Sequence, residues 1–227
     1  IEYFADKDWH NIMNPDRIEF LMAQSSSQFN KLKSQNDKID FVKKAKDTAF
    51  LYKSYLLDIR VKTILIGLTN QKFVGLMTHV IFKHAGSKFS KSSWFPHQDN
   101  SYAQMQKNCY ITTNLFVDNA NKKNGTIYCY PGSHKVGLKD YKKYISFHAK
   151  SSRKPGNKTL MKLDENNRID VNVKKGDYLL MNGNLVHGSY ANTSKNNSRH
   201  LLSFNYGVEG KKFNSGITAQ RKAIKFT

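Results

Sequence analysis

The feature that most limits how this chain can fold is its change of character at residue 73. From there it breaks into short β-type runs, "FVGLMTHVIF", "CYITTNLFVD", "GTIYCYPG", "IDVNV", "DYLLMNG" and "RHLLSFNYGV". Gly, Asn and Pro punctuate them, as in "KKNG" at 122–125 and "KKGD" at 174–177. Runs this short have little room for a helical stripe, and their β-branched and aromatic content favours pleated, half-buried strands. Six or more such strands argue for a sandwich or barrel, since sheets of this kind must bury one face against another layer.

The preceding third reads as helical. "NPDRIEFLMAQ" offers Asn14 as cap and Pro15 at the first helical position. "NDKIDFVKKAKDTAFLYKSYLLDI" spaces Ile39, Phe41, Val42, Ala45, Ala49, Phe50, Tyr52, Leu56 and Leu57 at three-to-four intervals, a stripe expected to face the core. The expectation is one domain over 1–227, with 1–70 as mainly helical support and 71–227 as the β core. "TILIGL" at 63–68 is far too short to span a membrane. The chain begins with Ile1 and has no charged-then-apolar leader, which leaves open a trimmed start and a removed targeting segment. Cys109 and Cys129 lack metal-type spacing and read as free thiols of a reducing cytoplasm.

The formal net charge of +20 raises the question of a nucleic-acid or membrane-surface partner. Only six of the 37 basic residues are arginine, and the lysines are scattered among asparagines rather than gathered in a block interleaved with aromatics. A stacking platform for nucleic acid needs the latter. Dispersed charge is the ordinary signature of a solvated surface.

Eight histidines are present, and most histidines do no chemistry. "WFPHQDNSY" sets His97 and Asp99 two positions apart, so in an extended stretch they share a face while Gln98 points away. "DYLLMNGNLVHGSYANTSKNNSRHLLSFNY" then supplies His187, Ser189 two residues on, and Arg199 at the start of the next strand. Two histidines and one carboxylate on neighbouring strands form a facial triad that suits Fe(II) and leaves positions open for substrates and O₂. Catalytic zinc also takes three protein ligands. A guanidinium one strand away favours iron, because its fork of donors suits the distal carboxylate of a chelating acid such as 2-oxoglutarate.

"FPHQDN", "NGTIYCYPGSHKVG", "KKGDYLLMNGNLVHGSYANTS" and "SRHLLSFNY", in order over about 73–207, resemble the phytanoyl-CoA dioxygenase family of Fe(II)- and 2-oxoglutarate-dependent oxygenases. The resemblance implies a double-stranded β-helix, a jelly-roll or cupin-like barrel with helices packed on one side. It implies His97, Asp99 and His187 as iron ligands, Arg199 as anchor of the co-substrate's distal carboxylate, Ser189 sharing that carboxylate, and Asn114 near the co-substrate. His134 of "PGSHK" is implied to be structural. With Asp99 a carboxylate, the chloride-binding halogenating variants are not the expected class. The implied reaction consumes O₂ and 2-oxoglutarate, releases succinate and CO₂, and hydroxylates a substrate with no separate general base.

The stretch 135–168 carries Lys142, Lys143, Lys150, Arg153, Lys154 and Lys158 and is expected to form a loop or lid over the site. Such a cover draws in anions, so a small or medium-sized substrate bearing carboxylate, phosphate or phosphonate is expected, an acyl-CoA thioester among the candidates. His79, Lys83 and His84 lie on a strand bordering the pocket, with no sequence signal for which of them point inward. The alternatives are an oxygenase acting on nucleic acid or another polymer and a non-catalytic or zinc-binding barrel.

Overall fold

The computed structural model describes residues 10–13, 33–86, 89–91, 93–138, 163–216 and 221–226. Helix α1 spans Gln35–Leu56 and α2 spans Ile59–Thr69. Ser34 caps α1, its hydroxyl accepting from the Asp37 amide at 3.0 Å, and Asp58 caps α2 by accepting from the Arg60 amide at 2.8 Å. Asp58 is why the amphipathic run does not continue into Ile59: its side chain offers the backbone a local partner and starts a new helix. Asn70, at a φ of 53°, closes α2 in the left-handed region.

Among the described residues, ten strands follow the expected pattern with additions. They are β1 (His10–Met13), β2 (Phe73–Lys83), β3 (Trp94–His97), β4 (Tyr110–Phe116), β5 (Ile127–Cys129), β6 (Ile169–Asp170), β7 (Tyr178–Asn182), β8 (His187–Ser189), β9 (Arg199–Val208) and β10 (Ile224–Lys225). The larger sheet runs β1-β2-β9-β4-β7, with β10 also on β2, and the smaller runs β3-β8-β5-β6. Every pairing is antiparallel. The first seventy residues are therefore not wholly helical, since β1 extends the larger sheet along β2.

Strand β9 explains the layering. Leu202, Phe204 and Tyr206 join Tyr52, Leu56, Val61 and Leu65 of the helices in one buried cluster. Leu201, on the other face, packs with Phe116 and Met181 of the larger sheet and with Ile127 of the smaller. Side chains alternate along a strand, so the odd positions Arg199, Leu201, Ser203 and Asn205 line the space between the sheets. Among the described side chains, the expected core stripe of α1 is met at its C-terminal end. Tyr52 and Leu56 are buried, whereas Ile39 is 59 % and Phe50 75 % exposed. The side chains of Phe41, Val42, Ala45 and Ala49, the segment 14–24 and most of the expected cover, 139–162, lie outside the described residues.

Candidate metal centre and anion pocket

His97 and His187 are direct cross-strand partners on β3 and β8. Their ring centroids are 4.4 Å apart. Each turns its Nδ1 to the carbonyl two residues before it, Phe95 at 2.8 Å and Leu185 at 3.1 Å. An Nδ1–H donated to a carbonyl leaves the Nε2 lone pair free for a metal and fixes the ring. Asp99 completes the group, its Oδ1 lying 3.4 Å from His97 Nε2 and 3.7 Å from His187 Nε2. The three ligand atoms all fall within 4.8 Å of one another, a donor set that fits one divalent ion.

The expectation of an extended H-x-D stretch is corrected in its backbone. Strand β3 ends at His97, and Asp99 sits at φ −61°, ψ −33°, as the cap of a short helix, Asn100–Ala103. The neighbouring side chains hold that turn. Gln98 donates to the Asn184 carbonyl at 2.6 Å and the Gly137 carbonyl at 2.9 Å, and Asn100 donates to Met105 O at 2.8 Å and Asn184 Oδ1 at 2.9 Å. Burial alone would raise the Asp99 carboxyl, but His187, His97 and the Thr112 hydroxyl outweigh it and hold it well below the usual carboxylate range. Asn205 Nδ2 donates to Thr112 Oγ1 at 3.0 Å, which leaves that hydroxyl proton directed to Asp99. Burial lowers the His187 imidazole against the upward pull of Asp99, keeping it in the neutral, ligating form.

Two residues along β8, a rise of about 6–7 Å, Ser189 faces the same interior. Gly188 between them has no room for a side chain, because a Cβ there would run into the Tyr128 hydroxyl and the Trp94 carbonyl. Opposite Ser189 stand two buried cations. Lys83 is 0 % and Arg199 1 % exposed, and they face each other across the β2–β9 ladder. Lys83 Nζ donates to Ser189 Oγ at 2.8 Å and to the Tyr190 carbonyl. Arg199 Nε donates to the Gly125 carbonyl at 3.0 Å. Gly125 has a φ of +92°, and a Cβ there would lie 2.9 Å from Lys83 Cδ, so this crowded corner accepts only glycine. Burial depresses Lys83 well below its ordinary value and Arg199 depresses it further; burial likewise lowers Arg199, with Asp118 pulling back.

Asn114 lies on β4 opposite Ser203, is buried, and its Nδ2 has no hydrogen-bond partner among the described residues. It sits two residues from Thr112 and so faces the same interior. His134, in the 3-10 turn Ser133–Val136, lies outside the group of His97, Asp99 and His187. Sequence reasoning did not single out Thr112, Asn205 or Asn192, whose Nδ2 ties the β8–β9 loop to the Lys83 carbonyl at 2.9 Å, and it left the direction of Lys83 open.

A two-sheet antiparallel fold that gathers two histidines and a carboxylate beside a buried arginine defines the non-haem, 2-oxoglutarate-dependent class of oxygenase folds. The chain belongs to the phytanoyl-CoA dioxygenase (PhyH) family, whose sequence model matches residues 4–201. It is 26 % identical over 234 residues to phytanoyl-CoA dioxygenase 1 of Oryza sativa subsp. japonica, covering 97 % of this chain and 79 % of the rice protein. It is 24 % identical over 159 residues to phytanoyl-CoA dioxygenase of Arabidopsis thaliana, covering 67 % of this chain and 51 % of that one. Among solved structures, the epimerase SnoN from nogalamycin biosynthesis, in complex with Fe3+, alpha ketoglutarate and nogalamycin RO, matches with a TM-score of 0.56 at 13 % identity over 100 % of this chain and 95 % of its own. HygX from Streptomyces hygroscopicus matches with a TM-score of 0.51 at 17 % identity over 92 % and 85 %. These likenesses establish the cupin-like fold that the family resemblance implied. Among the described residues no helix is long and apolar enough to cross a membrane.

Proposed function

We propose that this chain is an Fe(II)- and 2-oxoglutarate-dependent hydroxylase of a small or medium-sized organic substrate bearing an anionic group. The observation that carries the reading is the convergence of His97, Asp99 and His187 on one point, with Ser189 and Arg199 one short step away in the same buried interior. The two histidines and Asp99 would hold iron. When iron and O₂ are bound, that centre supplies the oxidising power by which 2-oxoglutarate becomes succinate and CO₂ and a substrate C–H becomes C–OH.

The chain's own contribution is placement. Arg199 and Ser189 would receive the distal carboxylate, and the His187-to-Ser189 step along β8 matches the reach of a five-carbon dicarboxylate whose other end chelates the metal. Asn114 would offer its unpartnered amide to the bound acid or substrate. His187 and His97 keep Asp99 ionised against its burial, and the Thr112 hydroxyl, itself held by Asn205, helps to aim it. A zinc-binding or non-catalytic barrel would have no use for a buried arginine beside the triad. The anionic character of the substrate is supported by the lysines of 135–168.

The test is succinate release from 2-oxoglutarate by the Fe(II)-loaded protein, screened against anionic and neutral metabolites. Succinate formation that rises with an anionic substrate and needs Fe(II) is the expected result. No 2-oxoglutarate consumption under any condition contradicts the activity, and turnover confined to neutral apolar compounds contradicts the substrate class.

A further inference from the structure

Asp99 reaches the metal centre from the cap of a helix too short to stand alone. Asn100–Ala103 is a single turn, and a helix of that size makes too few hydrogen bonds to offset the order it imposes. Its last carbonyls need donors from outside the helix. Two of those donors come from the far end of the chain. The Asn214 amide donates to the Ala103 carbonyl at 2.7 Å, and Arg221 Nη1 donates to the Tyr102 carbonyl at 3.4 Å and to the Asn214 carbonyl at 3.3 Å.

Arg221 is buried and also meets the Tyr110 hydroxyl. Tyr110 returns to the same turn by a second route: its carbonyl accepts from the Gly183 amide at 2.7 Å, and the Gly183 carbonyl accepts from the Asn100 amide at 2.8 Å. A Cβ on Gly183 would lie 2.4 Å from the Tyr110 ring, so the ring is pressed against that link. The segment that carries Arg221 is itself fastened on both sides, Phe213 and Phe226 packing on the core cluster and β10 pairing with β2. It lies beyond residue 201, where the match to the family's sequence model ends.

Resting on the assignment of His97, Asp99 and His187 to one metal ion, we propose that Arg221 is a positioning residue of the metal centre: by closing the C-terminal end of the Asn100–Ala103 turn, it fixes the direction in which Asp99 presents its carboxylate. A guanidinium suits this task because its fork of donors serves two carbonyls and a hydroxyl at once.

The test is calorimetric titration of Mn(II) into wild type, Arg221→Met, Arg221→Lys and Lys225→Met, beside denaturant unfolding of each. Lys225, an exposed partner of Glu209 on the same segment, is the control. Arg221→Met is expected to lose roughly tenfold or more in Mn(II) affinity, the range of changes that act on a ligand through its support. Lysine can still donate to the carbonyls, so Arg221→Lys is expected within about threefold of wild type, and Lys225→Met within about twofold. The visible spectrum of the Co(II)-loaded protein is expected to change in Arg221→Met and to keep the wild-type form in Arg221→Lys, because ligand placement sets the field at the ion. Lowered stability in Arg221→Met with unchanged Mn(II) affinity and an unchanged Co(II) spectrum makes the arginine merely structural and overturns the proposal, as does a Lys variant as weak as the Met variant. If Arg221→Met does not fold, Arg221→Gln decides: affinity equal to wild type overturns the proposal, and a loss greater than that of Arg221→Lys supports it. A wild type that binds no Mn(II) overturns the metal-centre assignment itself, and this proposal with it.

Discussion

The two ends of the interior are built on opposite principles. At the metal end the ligand groups are answered: both imidazoles are pinned by backbone carbonyls, Asp99 is held by Thr112, and Thr112 by Asn205. At the other end Lys83 and Arg199 share a buried corner with hydroxyl and carbonyl oxygens, and the Asp118 carboxylate that acts on Arg199 is engaged by His200. The first end is a socket whose geometry exists before its ion arrives. The second carries a standing electrostatic cost, the kind of local instability that functional sites retain at the expense of the fold.

The contrast breaks most severely at the socket. His97→Ala, Asp99→Ala and His187→Ala each leave two ligands of three, and are expected to lose metal affinity by more than about a hundredfold, beyond the 10–100-fold typical of outer-shell changes. Metal analysis after dialysis checks this, and stoichiometric metal in all three would remove the triad from the account. At the anion end Arg199→Ala is expected to weaken 2-oxoglutarate by roughly tenfold to more than a hundredfold, about 1.5–3 kcal/mol, with metal binding almost unchanged. Titrating both ligands into the variant separates the two ends.

Thr112→Val sharpens the comparison, because it removes an orienting hydroxyl while keeping the side-chain shape. It is expected to cost about tenfold or more in metal affinity, with Thr112→Ser retaining most of it. Metal titration of the pair is the check, and equal affinity in wild type and Val variant would mean that Asp99 needs no holder.

The smallest effect concerns stability and runs in the opposite direction. Lys83→Met is expected to stabilise the ligand-free protein, by about 1–4 kcal/mol on the scale of other buried charges replaced by apolar residues. The sign with pH follows from the lowered value of Lys83 in the folded state. Between that value and the ordinary lysine range the unfolded chain binds more protons, so wild-type stability rises with pH and its gap to the Met variant narrows. Denaturant unfolding of both proteins at about pH 7 and about pH 9.5 measures the gap.

How much of this was legible depends on how far each feature reaches through space. The triad and Arg199 sit in short motifs whose residue types carry their own chemistry, and six of the strands announce themselves by composition and turns. Asp99 was found for a partly wrong reason: the chain turns helical there instead of remaining extended, and Gln98 and Asn100 hold the turn through Asn184, which is remote in sequence. Lys83 was hidden among many lysines, since its distinction is the register that sets it opposite Arg199. Thr112 and Asn205 are ordinary strand residues until β4 and β9 pair. The two-residue β10 and the edge strand β1 are too short for periodicity to reveal, and Ile39 and Phe50 of the expected α1 stripe are left exposed.

The central claim is that socket and anion pocket are the two ends of one site, bridged by one molecule. Linkage tests it directly, because each of two such ligands must strengthen the other by the same factor. Mn(II) affinity is to be measured with and without saturating 2-oxoglutarate, and 2-oxoglutarate affinity with and without Mn(II). The account predicts equal enhancements, about 5- to 150-fold, in both directions; a factor near one, with each ligand indifferent to the other, would contradict it.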